Sequence, residues 1–181
     1  MRALVASALL TVFAACNDTR PARVLDPERY GLICTAQLVC IDDLSRLNEA
    51  VALRQEAAAF VTRTLGPFRT QPRVLFCATE ACYAQFADVR TRGINFGTRG
   101  AVIGPRGWRD YIVRHELIHH LQNERFGELR TATLPGWYVE GMAYSLSADP
   151  RRPLPGDDIE RWRAQYEAWI AAGNTWQVPP N

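Results

Sequence analysis

His115-Glu116-Leu117-Ile118-His119-His120 gathers all three histidines of the chain into six consecutive positions and sets two of them four apart. On a helix, residues four apart lie one above the other, with Cβ atoms about 5 to 6 Å from each other. Both imidazoles can then reach one Zn²⁺ at about 2.0 to 2.1 Å. Glu116, beside the first histidine, is left free to reach a water on that ion, which is the division of labour an HExxH helix requires. His120 is five positions from His115, a step that turns it away from the metal face. Chance alone can supply such a spacing, so the rest of the chain has to supply a third ligand and a setting.

Working outward, Trp108 to Phe126 reads as the helix that carries the motif. Val113, Leu117, Ile118 and Leu121 form its buried flank, and Gly127 can end it. Thr131 to Pro135 reads as a loop. Trp137 to Ser147 is apolar enough for a second helix packed beneath the first, and it contains Glu140, 21 residues after His119. A carboxylate on an otherwise apolar helix needs a partner, because an unpaired buried charge is costly. Zinc would be that partner. Before the motif, Gly93 to Ile103 reads as two short strands joined by a tight turn, either a plain hairpin or an edge able to add an extended peptide.

The other elements supply packing. Asp42 or Asp43 to Leu65 is rich in Ala, Leu, Glu and Arg and reads as a long first helix ended by Gly66-Pro67. Arg73 to Cys77 reads as a strand. Thr79 can cap a short helix that brings Cys82 back toward Cys77. Asp157 with Glu160 resembles a capping box for a last helix, whose stripe of Ile159, Trp162, Tyr166, Trp169 and Ile170 has core spacing.

A length of 181 residues, 48% of them hydrophobic and 22% charged, predicts one globular domain. A net charge of +2 is too small to point to nucleic acid. All basic residues are arginine. Met1 and Arg2 followed by the apolar run Ala3 to Ala15 read as an export signal, too short to span a bilayer. Its end, Phe13-Ala14-Ala15-Cys16, resembles a bacterial lipobox with Phe13 in place of the usual leucine. The division expected is a signal peptide at 1–15, a flexible tether at 16–30 behind a lipidated Cys16, and the folded domain at 31–181. Setting Cys16 aside leaves Cys34, Cys40, Cys77 and Cys82. Of the three connectivities, local pairing of Cys34 with Cys40 and Cys77 with Cys82 is preferred, since each pair closes a short loop in an oxidising compartment.

The region from Ala101 to Ser147 resembles the gluzincin metallopeptidases, specifically the peptidase-MA-like proteins in which HExxH is followed by a helix bearing W-x-x-E-G-x-A. His115, Glu116 and His119 match the first element; Trp137, Glu140, Gly141 and Ala143 match the second. The resemblance implies an α+β, zincin-like single domain: a small sheet with an edge strand before the HExxH helix and a glutamate-bearing helix after it. It implies a zinc peptidase with His115, His119 and Glu140 as ligands and Glu116 as general base. It also implies a tyrosine or histidine donor for the oxyanion, for which Tyr138, Tyr144 and Tyr166 are candidates. The expected setting is a monomer in the cell envelope, periplasmic and lipid-anchored, acting on a peptide or protein. The alternatives are a zinc-stabilised envelope binding module or inactive peptidase homologue, and a metal-free salt-bridged helix pair.

Overall fold

The computed structural model describes residues 20–180. The expected export signal, Cys16 and the start of the tether lie outside the described residues. Five short strands form one mixed sheet: β1 (Ile33–Cys34), β2 (Val39–Ile41), β3 (Val74–Phe76), β4 (Gly93–Asn95) and β5 (Ala101–Ile103), in the order β1-β2-β3-β5-β4. The central strands β2, β3 and β5 are parallel, and β1 and β4 run antiparallel along the two edges. Parallel strands need a crossover and are covered on both faces. The sequence obeys this: Val39, Ile41, Val74, Phe76 and Ile103 face one core, while Cys40, Leu75, Cys77 and Val102 face the other.

Seven helices complete the described residues: α1 (Arg20–Arg23), α2 (Leu47–Leu65), α3 (Glu80–Ala84), α4 (Asp110–Phe126), α5 (Glu128–Thr133), α6 (Gly136–Leu146) and α7 (Asp157–Ala171). The domain is therefore α+β. The β2-to-β3 crossover is α2, entered through a 3-10 turn at Leu44–Arg46 that Asp43 caps by accepting the Ser45 N–H. Val113, Leu117, Ile118 and Leu121 of α4 are fully buried against the α2 side of the sheet. Behind α4, helices α6 and α7 meet so closely that a Cβ at Gly141 would lie 2.3 Å from the Trp162 carbonyl. Only glycine fits there. Tyr166 is buried, as the core spacing of the last helix predicts, and Ile170 stays exposed.

Both local disulfides are present, Cys34–Cys40 across the β1–β2 hairpin and Cys77–Cys82 from the end of β3 into α3. Thr79 caps α3 by accepting the Cys82 N–H. Two disulfides fit an oxidising, exported setting. Among the described residues no helix is long and apolar enough to cross a membrane.

Three local expectations change. The segment 20–30 is not a free tether: α1 and a 3-10 turn at Pro27–Tyr30 dock on the second core, where Val24 is fully buried and Arg23 donates to the Gln85 carbonyl. Polar composition hid one well-placed apolar anchor. The loop expected at 131–135 is instead largely α5, a six-residue helix that starts straight after Gly127. Asp157 and Glu160 form no capping box. Glu160 turns back to accept the Leu154 N–H and to pair with the buried Arg163, a stronger claim on a carboxylate than a helix end.

Candidate metal centre

Helix α4 forms the floor of a cleft of about 650 Å³; edge strand β4 and helix α6 line it. His115 and His119 stand one turn apart on the cleft-facing side of α4, both buried, with their rings edge to face at 4.7 Å. Glu140 reaches them from α6. The three ligand atoms form a triangle: His115 Nε2 to His119 Nε2 3.0 Å, His115 Nε2 to Glu140 Oε2 3.3 Å, His119 Nε2 to Glu140 Oε1 3.5 Å. A tetrahedral ion with bonds of about 2.0 to 2.1 Å holds its ligands roughly 3.3 Å apart. The donor set therefore fits a metal ion in size and in chemistry, two imidazoles and a carboxylate.

The electrostatics point the same way. Burial by itself would lower the His119 imidazole, but the Glu140 carboxylate overrides it, and the ring is raised to about 9. Burial works against Glu140 in turn, yet the two imidazoles hold it well below the usual carboxylate range. An imidazole that favours its charged form and a carboxylate held ionised thus face each other at one point, where a cation can take the place of the proton.

Glu116 is buried beside this triangle and makes no ion pair with a basic residue among the described residues. Burial raises its carboxyl, and the two histidines offset part of that shift. Strand β4 passes so close that a Cβ at Gly93 would fall 2.8 Å from Glu116 Oε1. A raised carboxyl in a water-accessible cleft is suited to taking and returning a proton.

All four residues singled out by the motif, His115, Glu116, His119 and Glu140, thus meet in one cleft. Of the three tyrosines, only Tyr144 is there, its ring 4.4 Å from that of His115. Burial, with Glu140 and Glu116 nearby, pushes its hydroxyl up to about 12, so it remains a proton donor. Tyr138 donates to the Trp176 carbonyl and Tyr166 lies in the core, both away from the cleft. His120 faces the other way, sealed against Glu124 and Thr70.

Gln122, not singled out by sequence, is fully buried and bridges the site. Its Oε1 accepts from His119 Nδ1 at 2.8 Å, and its Nε2 donates to the Val139 carbonyl at 3.0 Å. Placing the proton on Nδ1 leaves Nε2 bare for a metal, and the second bond fixes α6 next to Glu140. The signal was available, since position i+3 from His119 lies on the same helix face. No protein-family model, curated protein or solved structure matches this chain.

Proposed function

We propose that this chain is a zinc-dependent peptidase of the gluzincin type, exported to the cell envelope and held there through a lipid on Cys16. The observation that carries the reading is the triangle of His115, His119 and Glu140, matched in size to a tetrahedral ion, with an unpaired Glu116 beside it. Three protein ligands are the number that leaves a fourth position open for chemistry.

Zinc, when bound, polarises a carbonyl and lowers the pKa of water to about 7. The remaining tasks fall to the chain. Arg92 O accepts the Gly104 N–H and Phe96 N–H donates to Gly100 O, so the alternation of an antiparallel pair turns the peptide groups of Gly93 and Asn95 outward at the edge. An extended substrate can pair with them. Glu116 takes a proton from the attacking water and returns it to the amide nitrogen as the C–N bond breaks. The acyl carbon gains the hydroxyl, and the amine leaves neutral. Tyr144 donates to the developing oxyanion.

Metal analysis together with Glu116→Gln tests the reading. The purified chain should hold one zinc, and the variant should keep it while hydrolysis falls about 10² to 10⁴-fold. Absence of zinc overturns the reading. Equal behaviour of wild type and variant on every peptide would favour a binding module.

A further inference from the structure

The cleft has unlike ends. At one end α5 steps from the last residues of α4 toward α6, and Glu128, Thr131 and Ala132 of this helix line the cleft. Glu128 also ties α5 to the turn between β4 and β5. Its carboxylate accepts the Thr98 N–H at 3.1 Å and the Thr98 hydroxyl at 3.3 Å, and pairs with the Arg99 guanidinium at 3.1 Å. Floor, edge strand and α6 are thereby joined across that end. The opposite end is bordered by Arg90, Arg92 and Arg151. Arg90 and Arg151 are matched by Asp88 and Asp149, whereas Arg92 makes no ion pair among the described residues.

Strand β4 supplies a ruler. Gly93 lies against Glu116 and Gly97 against Glu128. The stretch 93–96 runs extended at about 3.3 Å per residue and Gly97 opens the turn, which puts roughly 10 to 13 Å between the proton-transfer group and the wall. Polarity follows from two separate considerations. Because β4 runs toward Glu128, an antiparallel substrate, the better-paired arrangement, places its N-terminus at the wall. A free α-amine is also the substrate end that a carboxylate attracts, and Glu128 remains 38% exposed. Hydrogen bonds from Thr98 hold the Glu128 carboxyl below its ordinary value, ionised at neutral pH.

Resting on the peptidase reading, we propose that the groove is closed-ended and takes the free N-terminus of a peptide, with Glu128 as the stop that recognises it. Hydrolysis then falls within about four residues of the substrate's N-terminus. Glu128 sets specificity, and the bond-breaking step is the one already described.

The test uses the zinc-loaded full chain on a mixed-sequence peptide pool, free or acetylated at the N-terminus, with cut positions mapped by mass spectrometry. Cuts should be confined to about the first four bonds, and acetylation should lower kcat/KM by about tenfold. Glu128→Ala should spread cuts inward and erase the acetyl effect. Glu128→Gln, which keeps the Thr98 contacts, should retain the length limit and lose the acetyl effect. Internal cuts in acetylated peptides at wild-type rates, or an unchanged pattern in both variants, overturn the proposal. A chain that holds zinc but cleaves nothing sinks the peptidase reading. The length limit is then read from binding of peptide hydroxamates with up to about eight residues ahead of the metal-binding group. Affinity that stops rising near four residues supports the wall, and affinity that keeps rising removes it. Failure to bind zinc overturns both.

Discussion

Helix α4 carries two histidine–carboxylate clusters side by side. In one, His115 and His119 meet Glu140 from another helix at the floor of a cleft. In the other, His120 meets Glu124 one turn further along the same helix, with side chains 1% and 3% exposed. The Glu124 oxygens are already occupied: Arg69 N–H, Thr70 N–H and the Thr70 hydroxyl all donate to them. The protein thus supplies donors to both oxygens of that carboxylate, and the cluster pins the segment after α2 onto α4, although His120 Nδ1 is left without a partner among the described residues. In the cleft cluster the Nε2 atoms of His115 and His119 and the Glu140 carboxylate converge on one another. A carboxylate that is both supplied with donors and sealed from solvent, as Glu124 is, acts as a fastening; Glu128, held by Thr98 and Arg99 but still 38% exposed, keeps room for a ligand.

The largest effect expected from attacking this contrast is His119→Ala, which should leave zinc below stoichiometric levels by metal analysis. The metal-free chain should lose about 1 to 2 kcal/mol, since the buried Gln122 Oε1 is left without its donor, and should stay folded. Glu124→Ala should do the reverse. Stripping acceptors from buried backbone donors costs about 3 kcal/mol in denaturant unfolding, while zinc content stays at wild-type levels. Loss of zinc in that variant would erase the distinction. Gln122→Leu lies between the two, with zinc affinity in a chelator competition falling about 10- to 100-fold while the far-ultraviolet spectrum is retained. An unchanged affinity would reduce Gln122 to packing.

The smallest effect is a pH dependence. Burial raises the Glu124 carboxyl, but the Thr70 and Arg69 donors outweigh it and bring it below 4.5. A carboxyl lowered in the folded state stabilises above its unfolded value and loses that contribution as pH falls through the folded one. The wild type should therefore lose stability below about pH 4.5, with a slope of at most about 1.4 kcal/mol per pH unit from this group. Glu124→Gln, weaker at neutral pH, should show a flatter melting profile over the same range. Parallel profiles would assign the acid sensitivity elsewhere.

What the sequence disclosed was whatever a local period could carry. His115 and His119 share a face because of helical spacing, and Glu140 stood out as a charge on an apolar helix. Short cysteine loops, buried strands and the Thr79 cap are equally local. What stayed hidden depends on chain segments meeting from afar. Glu128 reaches Thr98 and Arg99 across about thirty residues, a contact with no periodic signature. Gly93 read only as the start of a short strand, although its value is the space it leaves for Glu116. Tyr144 could not be told from Tyr138 or Tyr166 until the α6–α7 packing showed which side of the helix is core. Val24 was lost in a polar stretch for the same reason.

The two faces of α4 also bear on descent. Val113, Leu117, Ile118 and Leu121 hold the fold from one side of the helix, and the ligand histidines occupy the other. Selection can therefore act on the two sets separately. A lineage that lost His119 would keep a folded, disulfide-braced protein with an intact groove, ready for recruitment as a carrier or scaffold. A lineage under pressure for robustness could remodel the core without disturbing its chemistry.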